Sequence, residues 1–153
     1  MSDIRRGICV GSIVLKDNKV LFVRQARGHP LEGQWSIPWG TVEEDEYPED
    51  AVIRETKEES NVDVKVEGLV GIQNLPEKGW IGIVFLCSPL SDNLKPDGFE
   101  VDKVAYLSIE DIKSFEEPIE PWCKWLAERI LKGDYSVIPP RINNPYKPLI
   151  GFL

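Results

Sequence analysis

Apolar and polar positions along this 153-residue chain fall into short β-branched runs and two longer helical stretches. Residues 5–15 are apolar and β-branched up to Val14-Leu15, Lys16-Asp17-Asn18-Lys19 is polar, and Val20-Leu21-Phe22-Val23 is apolar again. Two such runs around a polar turn predict a β-hairpin. Residues 26–34 carry Gly28, Pro30 and Gly33 and predict a loop. A short extended piece from Trp35 to Trp39, broken by Pro38, leads into an acidic loop over 40–47. Residues 62–73, 80–87 and 101–107 predict further strands. The first two are separated by a turn with Pro76 and Gly79, and residues 88–99 form a loop before the third.

The first helix is predicted from Pro48 to about Ser60. Proline suits a first helical position, and Glu49 and Asp50 sit near the positive helix end. Tyr47 is a weak N-cap. Ser108-Ile109-Glu110-Asp111 reads as a second helix start. Pro118 to Lys132 predicts a final amphipathic helix, with Ile119, Trp122, Cys123, Leu126 and Ile130 on one side and Gly133 ending it. From about residue 136 a tail with Pro139, Pro140, Pro145 and Pro148 is expected to lack regular structure, yet Tyr146, Leu149, Ile150, Phe152 and Leu153 are apolar. It either packs across its own domain or reaches a second subunit as an arm, which leaves a homodimer open. No internal repeat appears, and residues 1–153 read as a single α/β domain with this Pro-rich tail.

A net charge of −8 disfavours attraction to nucleic acid or anionic membrane, so neither is expected as a partner. It does not disfavour a small phosphate-bearing substrate, because a bound cation reverses the local field. Cys9, Cys87 and Cys123 are odd in number and far apart, with no zinc-type spacing. Cys9 and Cys87 lie in apolar runs and read as core. Met-Ser-Asp-Ile-Arg-Arg lacks the apolar stretch of a signal peptide, and no apolar run approaches a membrane span, so the expected location is cytoplasmic.

The candidate chemistry lies in Arg54-Glu55-Thr56-Lys57-Glu58-Glu59. On a helix the three glutamates fall within a sector of about 100°. Like charges so spaced oppose a helix by about 0.2–0.5 kcal/mol per pair. A hard divalent cation such as Mg²⁺, or Mn²⁺, turns that repulsion into a binding site. A solvated acidic face is the plainer reading of a bare E-x-x-E-E. Here Ala51 and Val52 project close to Glu55, so the glutamates border the buried side of the helix.

A longer pattern contains this run: Gly40, five residues, Glu46, seven residues, Arg54-Glu55, one residue, Lys57, Glu58-Glu59, one residue, Asn61, Val62. It resembles the signature of the Nudix hydrolases, G-x(5)-E-x(7)-R-E-U-x-E-E-x-G-U with U bulky and apolar. Three positions depart. Thr56 replaces an aliphatic residue, Asn61 replaces glycine, and Trp39 stands where a second glycine is common. Asn61 can still end the helix in a left-handed conformation, and the Thr56 hydroxyl can bond a carbonyl one turn back.

The resemblance implies an α/β/α sandwich around a mixed β-sheet, the Nudix fold. It implies Mg²⁺-dependent hydrolysis of a nucleoside diphosphate linked to another group, so a small nucleotide or nucleotide derivative is the expected partner. Glu55, Glu58 and Glu59 would hold one or more Mg²⁺, with the general base as the alternative role for one of them. Arg54 would orient a carboxylate, Glu46 would support its loop, and Gly40 would allow close backbone approach. The Trp39 carbonyl and Glu100 are further metal-ligand candidates, Glu100 otherwise being a loop carboxylate. Arg24 either binds a phosphate or is a solvated surface arginine. Trp35, Trp39 and Trp80 either offer an aromatic face to a base or pack structurally. His29 reads as a loop residue, and Trp122 and Trp125 as core or interface. Among substrates a nucleoside triphosphate, modified or not, comes first, because the chain looks like the compact MutT-like type. ADP-ribose or a nucleotide sugar comes second, with Pro76 as a weak pointer. A non-catalytic Nudix-fold nucleotide sensor is the third reading.

Overall fold

Residues 7–153 are described in a computed structural model of the chain. Residues 5 and 6 of the first predicted strand lie outside the described residues. The hairpin joins β1 (Gly7–Lys16) to β2 (Lys19–Gln25), with Leu15 opposite Val20. Its turn residues Asp17 and Asn18 have φ of 48° and 58°, a left-handed pair that Asp and Asn tolerate best among non-glycine residues. Two short strands follow. β3 (Trp35–Ser36) lies antiparallel to β2, and β4 (Trp39–Thr41) lies antiparallel to β1. Then come α1 (Pro48–Ser60), the antiparallel pair β5 (Val64–Asn74) and β6 (Trp80–Pro89), and β7 (Val101–Leu107), which pairs antiparallel with β2. Two helices close the fold, α2 (Ile109–Lys113) and α3 (Pro121–Leu131). β6 runs parallel to β1, which makes the sheet mixed.

Both faces of the sheet are covered. Val10, Val14, Leu21, Phe85 and Cys87 pack with Ala51 and Val52 of α1. Ile13, Val20, Phe22 and Val84 pack with Ile112 of α2 and Leu126, Ala127 and Ile130 of α3. Two-sided burial explains why the strands read as continuous apolar runs and do not alternate. Each such fully buried side chain stabilises the fold by about 1.5–3 kcal/mol. The architecture is the expected α/β/α sandwich.

Two details differ from the sequence expectation. The last helix begins at Pro121 rather than Pro118, so Ile119 is not on it. The backbone of 118–120 is committed elsewhere: Trp35 N donates to Pro118 O at 2.8 Å, and Glu120 N donates to Trp35 O at 2.8 Å. Pro121 then takes a first-turn position where no N–H is needed. The tail is irregular but anchored. Leu69 and Ile138 exchange both backbone hydrogen bonds at 2.8 and 2.9 Å, and Phe152 packs on Phe85 with ring centroids 5.4 Å apart. These are the contacts of a tail laid across its own sheet. Among the described residues no helix is long and apolar enough to cross a membrane.

Candidate functional site

α1 carries the acidic run, and its ends behave as their residues dictate. Tyr47 makes no side-chain cap, and Asn61 closes the helix at φ 63° with its N–H donating to Lys57 O. Thr56 is fully buried, and its hydroxyl is hydrogen-bonded to Val52 O at 2.7 Å and to Ser12 Oγ at 2.8 Å. Ser12 on β1 thus supplies the polar partner that lets threonine occupy an otherwise aliphatic position. This pair fixes how α1 sits on the sheet directly beside Glu55.

The three glutamates occupy three different environments. Glu58 is open, its side chain 55 % exposed, and Glu55 is largely covered at 13 %. Glu59 is buried at 4 %, and one of its oxygens accepts from Trp39 N at 3.3 Å. Burial, reinforced by the charge on Glu55, holds the Glu59 carboxyl well above the usual range. Glu100 and Asp97 add to the effect and the Trp39 N–H opposes it. Burial also raises Glu55, against the nearby Arg54 guanidinium.

Arg54 is the hub of the cluster. It grips Glu46 with two bonds, Nε to Oε2 at 2.7 Å and Nη2 to Oε1 at 2.9 Å. Nη1 donates to Glu55 at 2.7 Å and to Glu58 at 3.2 Å, and Nη2 also reaches Thr41 O at 3.1 Å. Glu46 in turn accepts from Glu43 N at 3.1 Å. Gly40 leaves the space that Glu55 fills, because a Cβ there would lie 2.0 Å from the Glu55 carboxyl carbon. Glu100 is exposed in a turn held by Asp97, whose Oδ1 accepts from Phe99 N and Val101 N. The Glu100 carbonyl accepts from Ala26 N at 2.8 Å.

Among the described residues no three of these carboxylates are already drawn together as a metal cage. The donor set nevertheless fits a hard divalent cation. It consists of carboxylate oxygens that burial first, and the charges of neighbouring carboxylates second, hold above the usual range at Glu55 and Glu59, and a cation would relieve both.

A cavity of about 530 Å³ opens beside the cluster, lined by Glu59, Glu100, Trp39 and Trp122. Leu31, Leu75 and Pro76 add apolar wall, and Gln25, Ser36 and Glu120 add polar wall. His29 lines it too, so this loop residue faces the cavity.

Three residues expected to bind substrate lie outside the cavity wall. Arg24 spends its guanidinium on Asp102, by Nε at 2.7 Å and Nη2 at 2.9 Å, and on Glu117 by Nη1 at 2.7 Å. It is neither free for a phosphate nor simply solvated. Trp35 is buried, packs edge-on against Phe115, and donates its indole N–H to Glu117 at 3.0 Å. Trp80 lies against Gly7 and is not part of the cavity wall. Trp39 does line the cavity, and Trp122, read as core or interface, joins it there. Glu120 and Gln25 were not foreseen. Pro121 was the available signal for Glu120, since proline suits the first helical position and makes the residue before it the N-cap. Gln25, at the close of an apolar run, gave none.

The NUDIX domain model matches residues 5–126. The ADP-ribose pyrophosphatase of Methanocaldococcus jannaschii is 29 % identical over 126 residues, covering 77 % of this chain and 73 % of that protein. A MutT-like protein of Streptomyces ambofaciens is 32 % identical over 102 residues, 67 % of this chain and 63 % of its own length. A crystal structure of a NUDIX hydrolase from Nitrosomonas europaea superposes with a TM-score of 0.74 at 26 % identity, covering 84 % of this chain and 71 % of that one.

Proposed function

This chain belongs to the Nudix family and is a hydrolase of phosphorus-containing anhydrides, and from that premise we propose that it is a Mg²⁺-dependent pyrophosphohydrolase of a nucleoside triphosphate, modified or not. The observation that carries the reading is the shared cavity. Glu59 and Glu100 line the same space as Trp39 and Trp122, so phosphates and a planar base can occupy one pocket together. Glu55, Glu58 and Glu59 are the proposed metal ligands, with the Trp39 carbonyl and Glu100 as further ones. The cation would neutralise charge on the phosphate oxygens and lower the pKa of a bound water.

The chain's own residues supply the rest. Arg54 holds Glu55 and Glu58 in orientation while Glu46 anchors Arg54 in turn. The Trp39 N–H holds Glu59, whose carboxyl burial raises well above the usual range. Pro76 on the cavity wall, and the name of the Methanocaldococcus relative, favour ADP-ribose or a nucleotide sugar as the second reading.

The test incubates the protein with nucleoside triphosphates, ADP-ribose, nucleotide sugars and dinucleoside polyphosphates, with and without Mg²⁺, and reads products by chromatography. Mg²⁺-dependent cleavage of triphosphates is the expected result. Cleavage of ADP-ribose alone moves the assignment to the second reading. Tight binding without turnover of any member makes the protein a sensor. Glu58→Gln and Glu59→Gln are each expected to lower turnover by orders of magnitude with the melting temperature little changed. Near-normal turnover in both removes the site assignment.

A further inference from the structure

Asn61 stands where the family signature has glycine, and it adopts φ 63° at the end of α1. Glycine takes that left-handed conformation without steric cost, and asparagine does not. What asparagine adds is a side chain. Its Nδ2 donates to Asn93 O at 2.9 Å, across 32 residues of chain. A carbonyl only accepts, so the amide has to present its NH₂ group there. Glycine has no group to make this bond.

The bond belongs to a seam between the end of α1 and the irregular segment that follows β6. Leu90 N donates to Asp63 O at 2.6 Å, Asp63 N to Ser91 Oγ at 2.9 Å, and Lys95 N to Ser60 O at 2.9 Å. Lys16 pairs with Asp92 as well. Burial does little to fix this loop. From Asp92 to Glu100 every residue but Leu94 and Pro96 is exposed, and Leu94 packs on the core. Its hydrogen bonds therefore decide where the loop lies.

The same loop carries Glu100 to the cavity. Pro96 restricts the backbone just past the seam. Asp97 Oδ1 then accepts from Phe99 N at 2.8 Å and from Val101 N at 2.9 Å, and the Glu100 carbonyl accepts from Ala26 N at 2.8 Å. Between Asn93 and Glu100 the chain is thus pinned at short intervals. Glu100 lines the cavity together with Glu59, which lies on the helix that Asn61 ends.

We propose that Asn61 is a positioning residue for Glu100. It ties the loop to the helix that bears Glu55, Glu58 and Glu59, so Glu100 keeps a fixed relation to them across the cavity. A cation held between loop and helix then meets carboxylates already in place, with less loop motion to arrest on binding. The proposal rests on the reading of these carboxylates as a divalent-cation site.

Asn61→Gly places the family's glycine at the helix end, keeps the backbone cap and removes the tether. The variant should fold with a melting temperature close to the parent's, because glycine suits the left-handed position. Mn²⁺ binding, read from the free-ion signal in electron paramagnetic resonance, needs no turnover. Asn61→Gly is expected to weaken it on the order of tenfold. Glu100→Gln should weaken it similarly, and adding Asn61→Gly to Glu100→Gln should then change it by less than about twofold. Amide hydrogen exchange on the metal-free protein reads the tether itself. Lys95, Phe99 and Val101 should all exchange about tenfold faster in Asn61→Gly. A merely local role would free Lys95 alone and leave Mn²⁺ affinity in place, and that result overturns the proposal, as do additive effects of the two substitutions. If the parent binds no Mn²⁺, or Glu100→Gln leaves binding unchanged, the reading of Glu100 as a ligand falls. Exchange at Phe99 and Val101 then decides by itself whether Asn61 fixes the Glu100 turn.

Discussion

Replacing Gly40 by alanine is the sharpest probe of how the acidic cluster is held. Gly40 has no positive φ, so alanine meets no backbone strain and the effect is steric alone. The new methyl would lie 2.0 Å from the Glu55 carboxyl carbon and 2.2 and 2.3 Å from its oxygens. Carbon atoms in contact sit about 3.5 Å apart or more, so the carboxylate must retreat by about 1.5 Å, the difference between 3.5 and 2.0 Å. That retreat breaks the 2.7 Å bond from Arg54 Nη1 and moves a proposed metal ligand. A displacement of about 1 Å at a reacting centre costs on the order of 10²-fold in rate, so kcat should fall by about 10². The fold should lose only about 1–2 kcal/mol, because what yields is the end of a flexible side chain. Steady-state kinetics on the preferred substrate, paired with thermal melting, reads both. Gly71→Ala serves as control, since a Cβ there meets nothing within 4 Å. If Gly40→Ala turns over within twofold of the parent while still folded, the Gly40–Glu55 packing has no part in positioning the site.

Three further outcomes follow from the same geometry. Thr56→Val strips the buried Ser12 hydroxyl of its partner and should cost about 1–3 kcal/mol in urea unfolding, with Ser12→Ala in the same chain recovering part of it; an additive double variant would show that the two hydroxyls do not interact. Glu117 is held down to about 2 by Arg24, the Trp35 indole N–H and Lys103. A depressed acid stabilises the fold above its ordinary value of about 4.3 and loses that contribution as pH falls through about 2. Glu117→Gln should therefore flatten the fall in melting temperature between about pH 4.5 and 2, and an unchanged slope would discount the ion pair. Phe152→Ala should lower stability by about 1–3 kcal/mol at constant oligomeric state, because the ring packs on Phe85 of its own sheet; a shift in sedimentation instead would make the tail an intersubunit arm.

Local chemistry made much of this protein legible from its residues in order. The Asp17-Asn18 hairpin, the bounds of α1 from Pro48 to Ser60, and the left-handed end at Asn61 rest on preferences of the residues themselves. Spacing within one helix put Glu55, Glu58 and Glu59 along the border of its buried face, and fixed offsets carried the family resemblance. Packing between distant segments decided what those preferences leave open. Arg24 looked available until the fold brought it Asp102 and Glu117, 78 and 93 residues away. Trp35 and Trp80 looked as good as Trp39 for a base, and only the fold set them apart, one packed against Phe115 and the other over Gly7, while Trp39 lines the cavity. Trp39 of β4 meets Trp122 of α3 edge-on, in space left by glycines on two strands. Helix and turn signals act over a few residues, where each residue type states its own preference. A side chain's partner across the sheet depends on strand order and register, which no single stretch of the chain contains.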